Sequence, residues 1–222
     1  MLSAQEIATR STDWVLLVLA FITITVVIAK VSETERTVYF LGLPFRVQSS
    51  EWAANFNPIL SKKLSDALLG LAAILTLALA ALLITRFWRG EQTLASDFLP
   101  FLKMVFTLIG IFLGKTLLGS FIAAVFDVQE QITAAQNINL AYLSWLLVPI
   151  LPLVLATLFL NWQTAFFAQL LLVVVLVGLA IMMWHTARAI INVSPILSYN
   201  IFYLCALEII PIIYLIFLLQ KI

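Results

Sequence analysis

Six long apolar runs dominate this chain, and they leave it few folds. They cover about residues 14–29, 67–84, 98–120, 140–160, 164–184 and 196–219, and the third stays apolar as far as Phe126. A helix needs about 20 mostly apolar residues to cross a bilayer. Barrel strands would alternate apolar and polar positions, whereas these runs are continuous and rich in Leu and Ala. The expected architecture is therefore all-α: a polytopic transmembrane helix bundle of about six spans, with residues 1–222 forming one integral membrane domain.

Composition closes the other routes. Hydrophobic residues make up 64% of the chain and charged residues 10%, with a mean hydropathy of +1.12. A soluble domain has roughly 45–50% and about 25%. This chain cannot cover itself with a polar surface, so the lipid bilayer is its first partner. A net charge of +1 excludes a nucleic-acid binder that relies on bulk positive charge. The single cysteine, Cys205, cannot close an intrachain disulfide.

The span ends carry recognisable signals. Ser194-Pro195 reads as N-cap followed by N1, where proline's missing N–H does no harm. Ser96 and Asp97 precede the third span in the same way. Trp14, Trp88, Trp162 and Trp184 sit where indoles seek the interface. The first span reads as a retained helix rather than a cleaved leader. Glu6 and Asp13 surround Arg10, so there is no positive n-region.

Lys/Arg placement predicts sidedness. Lys30, Arg36, Arg46, Lys62, Lys63 and Arg188 fall in the first, third and fifth loops. Arg10, Arg86, Arg89 and Lys221 fall on the opposite side. The loop from Lys30 to Asp66 is accordingly expected in the cytoplasm, with both termini periplasmic. Its Tyr39, Phe40, Phe45, Trp52 and Phe56 suggest a segment lying along the membrane surface. Asp127 to Asn139 reads as a second polar connector.

Much chemistry is missing. There is no glycine-rich phosphate loop, hence no nucleotide partner. One histidine, His185, and one cysteine do not suffice for haem, zinc or iron–sulfur ligation, so no cofactor is expected. No two carboxylates are spaced as a metal or acid/base pair inside the membrane. The expectation is a protein that is not an enzyme.

Four residues form the candidate intramembrane polar site: Glu208, Lys115, Pro211 and Cys205. Glu208 falls near the middle of the sixth span, where a charge costs about 2.5–3.5 kcal/mol on insertion scales. Pro211 has no N–H, so the Leu207 carbonyl loses its helical partner and the helix should bend. At 100° per residue, Cys205 shares the Glu208 face. Glu208 reads either as a proton or cation site or as a neutral anchor to a neighbouring helix. Lys115 reads either as its partner or as a lysine that snorkels to the interface. Counted from Phe98 and from Leu219, the two differ in depth by about 9 Å.

Weaker signals remain. Gly110 and Gly114 permit close helix approach, with packing inside the bundle the expected use. Pro149 and Pro152 imply a kink in the fourth span. His185 and Arg188 suit a helix C-terminus among lipid headgroups.

The run Phe202 to Pro211, FYLCALEIIP, together with Asp13-Trp14 opening the first span, resembles an uncharacterised family of multi-span inner-membrane proteins of Bacteroidota. That family is known only as a domain of unknown function with a YLCxLEIxP-like C-terminal helix. Tyr203, Leu204, Cys205, Leu207, Glu208, Ile209 and Pro211 match it. The resemblance implies a multi-helix protein of the bacterial inner membrane and brings no substrate, cofactor or catalytic residue. Two functions stay open: a non-enzymatic accessory or scaffold subunit of a cell-envelope assembly, held through intramembrane helices to a membrane-protein partner, and a small ion- or proton-coupled transporter using Glu208.

Overall fold

A computed structural model describes residues 13–32, 34, 37, 64–89, 98–126, 129–159 and 164–193. The described residues are helical almost throughout and contain no strand. In chain order they form α1 (Asp13–Ser32), α2 (Leu64–Arg89), α3 (Phe98–Phe126), α4 (Gln129–Trp145), α5 (Leu147–Phe159) and α6 (Thr164–Val193). α4 and α5 make one rod broken at Leu146. Counting that rod once, five helical stretches among the described residues are long and apolar enough to cross a membrane. The expected sixth span, with Glu208, Cys205 and Pro211 and the bend at Pro211, lies outside the described residues.

The helices run up and down. α2 is the hub and packs against each of the other five. Hydrophobicity cannot have chosen it, because lipid is as apolar as leucine; size can. Ala72, Ala73, Ala78 and Ala80 are fully buried, and these small side chains let neighbours approach from every side. α1 instead buries one stripe, Val15, Leu19, Ile22, Thr25 and Ala29, at helical spacing. Its other faces carry exposed Leu17, Phe21, Ile24 and Val31, which suits lipid.

α3 is divided more sharply. Phe101, Met104, Leu108, Phe112, Lys115, Gly119 and Ala123 recur every three or four residues and turn toward the bundle. Leu99, Lys103, Phe106, Gly110, Leu113, Leu117 and Phe121 form the opposite, exposed stripe. The two intramembrane lysines therefore part company. Lys103 stands in the open, and Lys115 is half-buried on the bundle side.

Two expectations from sequence need correction. The polar stretch Asp127 to Asn139 is not a connector: from Gln129 it is the first part of α4, with Ile132 as its buried residue. The helix carrying His185 does not end near it. α6 continues to Val193, and the His185 ring stacks on Tyr142 at 4.7 Å between centroids, tilted by 19°. The imidazole has an aromatic partner on α4 rather than a place at the helix end.

Candidate functional site

The buried charged side chains of α2 stand at two depths. On α2, Asp66 and Arg86 are each only 7% exposed. Twenty residues separate them, about 30 Å at helical rise, which matches the thickness of a hydrocarbon core. Asp66 stands in the first turn and Arg86 near the last. Each charge thus faces the favourable pole of the helix dipole, worth up to about 2 kcal/mol in partly buried settings. Near Arg86, at the opposite side, Trp14 meets Phe98 and Phe101 with ring centroids 5.7 and 5.3 Å apart.

The layer around Asp66 is richer. Thr186 Oγ1 lies 2.6 Å from the Asn139 Oδ1 position and 2.9 Å from the Met182 carbonyl, which joins α6 to α4. One hydroxyl proton cannot serve both. The pair is satisfied when Thr186 donates to Met182 and the Asn139 amide turns its NH2 toward Thr186. One turn along, Tyr142 stacks on His185. A Cβ on Gly70 would stand 3.0 Å from Leu140, so α2 and α4 touch here, and Asp66 is one turn before Gly70 on the same face.

α3 enters the same layer. The Gln136 amide donates to the Thr116 carbonyl at 3.3 Å, and Gly119 packs on Ile132 and Gln136. That register sets Lys115 level with Gln136 to Asn139, and so close to the depth of Asp66. Asp66, Lys115, Asn139, Tyr142 and His185 are all engaged by neighbours. A sequence count from Phe98 puts Lys115 about 26 Å along its span, near the far interface, and the pairing of Thr116 with Gln136 sets it beside the polar start of α4.

A third feature lies inside the membrane. The α4–α5 rod breaks at Leu146, although Leu146 and Ile150 keep their amide bonds to Tyr142 and Leu146 carbonyls, at 3.1 and 3.2 Å. Pro149 supplies no N–H to the Trp145 carbonyl. The Trp145 indole N–H is buried and has no hydrogen-bond acceptor among the described residues. Gly178 of α6 packs directly on Leu146 at this level.

Chemically, the layer can tie helices together, hold polar groups at the interface and orient a proton donor or acceptor. No group of three or more His, Cys, Asp or Glu among the described residues could hold a metal ion. Of the four residues singled out by sequence, Lys115 is placed on the bundle side, and Glu208, Cys205 and Pro211 lie outside the described residues. Asn139, Thr186, Tyr142 and Trp145 were missed. Asn139 carried a signal, as the last amide before a long apolar run; Thr186 and Trp145 carried none. The model of a family described as a domain of unknown function (DUF4271) matches residues 15–219. No curated protein and no solved structure matches the chain.

Proposed function

The chain belongs to the DUF4271 family of unknown function, and from that premise we propose that it is a non-enzymatic integral inner-membrane protein, an accessory or scaffold subunit of a cell-envelope assembly. The observation that carries this reading is on α3. Among the described residues, nothing lies within 4 Å of the position a Cβ would take at Gly110 or Gly114, and Gly110 belongs to the exposed stripe with Phe106 and Leu113. Small residues of this spacing allow two helix backbones to approach closely in lipid. Among the described residues no helix covers that face. A partner helix fits it. The buried hydroxyls support the same reading: Thr25, Thr76 and Ser144 bond to their own helix one turn back.

The place we assign is the inner membrane of a Bacteroidota-like bacterium, on the resemblance carried by Phe202 to Pro211. The test is purification from native membranes. Wild-type protein should bring a stoichiometric membrane partner, and Gly110→Leu with Gly114→Leu should lose it while keeping its melting temperature. Retention of the partner by that variant removes the reading. Loss of stability instead assigns the glycine face to the chain's own sixth apolar run.

A second reading is a small ion- or proton-coupled transporter using Glu208. It draws support from the broken α4–α5 rod, since broken helices expose backbone groups to a path across the membrane. Purified protein in liposomes should then move protons or a cation, and Glu208→Gln should fold but abolish the flux. Absence of flux from wild-type protein sinks it.

A further inference from the structure

Pro149 and Pro152 stand about one turn apart in the α4–α5 rod. Neither has an N–H, so the carbonyls of Trp145 and Val148 each lose their helical donor. The amide of Ile150 does not serve Trp145, because it is bonded to the Leu146 carbonyl at 3.2 Å. The Trp145 indole N–H is also buried without an acceptor among the described residues. Two acceptors and one donor therefore fall within a single turn.

Their depth makes this costly. The membrane-spanning stretch of the rod runs from Gln136 to Phe159. Trp145 lies about 14 Å from its first residue and Val148 about 16 Å from its last, at helical rise. Acyl chains offer neither donors nor acceptors, so an unsatisfied backbone group at that depth is heavily penalised. The neighbouring helices do not supply what is missing. Gly70 meets Leu140, which sets Thr76 of α2 level with Leu146. The Thr76 hydroxyl donates to the Ala72 carbonyl and the Ser144 hydroxyl to the Leu140 carbonyl, both at 2.8 Å, so their protons are spent. On α6, Gly178 packs on Leu146, and the stretch from Val173 to Ala180 carries no polar side chain.

We propose that the break holds bound water in the middle of the membrane, between the Trp145 and Val148 carbonyls and the Trp145 indole N–H. Carbonyl oxygens three residues apart on a helix lie about 5 Å from one another. One water that donates to both, at about 2.8 Å each, spans that gap. Its oxygen can still accept, and the indole N–H is the donor in the same turn. Water then meets the two to four polar partners that a buried molecule needs. Room exists beside the carbonyls: Val148 is 44% exposed and Pro152 is exposed, so no described side chain fills that side of the rod. A helix of another protein could reach Val148 but not the buried indole; a molecule the size of water serves both. Bound water gives the rod a hydrogen-bonding step about halfway across the membrane, whether the chain acts as a scaffold or as a transporter.

The experiment is X-ray hydroxyl-radical footprinting of the full-length protein, in native membranes and in lipid nanodiscs, read by mass spectrometry. Bound water generates radicals where it sits and oxidises the side chain beside it. Met104, 3% exposed and far from any proline, is the dry reference. Trp145 should oxidise about tenfold faster than Met104 or more, because water lies against it. Pro149→Ala with Pro152→Ala restores both N–H groups, and the Trp145 rate should then fall to that of Met104. A second readout leaves the break unaltered: water-edited solid-state NMR of protein labelled with 15N-tryptophan. The Trp145 indole signal, identified by its loss in Trp145→Phe, should receive magnetisation from water about as quickly as that of the exposed Trp88. Oxidation of Trp145 as slow as that of Met104 overturns the proposal, and so does an indole that receives nothing from water. An unchanged rate in the double alanine variant overturns it too, since the carbonyls then hold no water. Water contact found in nanodiscs but not in native membranes assigns the freed carbonyls to another protein and overturns it as well.

Discussion

Adding one methyl group at Gly178 places a Cβ in overlap with Leu146 Cδ2 and 3.4 Å from its Cγ. Leu146 is 1% exposed and packed on all sides, so its side chain cannot swing away. Gly178→Ala should therefore lower stability by about 1–3 kcal/mol, the usual cost of overpacking. Gly110→Ala meets open space and should be neutral, or gain up to about 1 kcal/mol from helix propensity. Thermal unfolding in detergent compares the two, and equal losses would contradict the packing described. The Asn139–Thr186 tie calls for a different measurement. Thr186→Val and Asn139→Leu, combined in a double-mutant cycle, should show a coupling of roughly 0.6 kcal/mol and no more than about 1.7, as for hydrogen bonds between membrane helices. A coupling near zero would mean that the two residues are neighbours without being partners.

Along the α4–α5 rod, proline chemistry decides the local structure. The Trp145 carbonyl lacks a helical donor because residue 149 is proline, and the chain turns at Leu146 without losing the two flanking amide bonds. Pro149→Ala should restore the missing N–H and close the break. Amides from 147 to 153 should then exchange with deuterium about tenfold more slowly or better, since proline inside a helix costs about 3 kcal/mol. Unchanged exchange would assign the break to packing against Gly178. This element also marks the limits of reading a chain of this kind. Helix class, the presence of these spans and the proline kink were legible, because hydropathy and a missing N–H are local properties. The extent of α4 and α6 was not, because polar residues outside lipid go on forming helix when a neighbour supports them, as Ile132 against Gly119 and Tyr142 against His185 do. Which residue of α4 lies beside Lys115 was not legible either, a fact of pairing that no count along α3 contains.

Across the whole bundle, the polar layers fix which groups share a side. α2 begins with Asp66 at one layer and ends with Arg86 at the other, about 30 Å apart, and the remaining helices alternate around it. The end of α1, the start of α2, the end of α3, the start of α4 and the end of α6 therefore lie on one side, and the start of α1, the end of α2, the start of α3, the end of α5 and the start of α6 on the other. Lys30 ends α1 on the first side and Arg86 and Arg89 end α2 on the second, and the positive-inside rule, applied to the Lys/Arg placement in the sequence, predicts that the first side is cytoplasmic. Single cysteines at Gln48, Thr133 and Gln92 in a Cys205→Ser background test both statements. Thr133 is exposed near the start of α4 and suits labelling better than the half-buried Asn137. With a membrane-impermeant maleimide, Gln92→Cys should react in intact spheroplasts, and Gln48→Cys and Thr133→Cys only in inverted vesicles or after lysis. If Gln48 and Thr133 label from different sides, the up-and-down order of α1 to α4 is wrong. If all three agree with the pairing but the sides are exchanged, the bundle stands, and the charge count of six against four has failed to orient it.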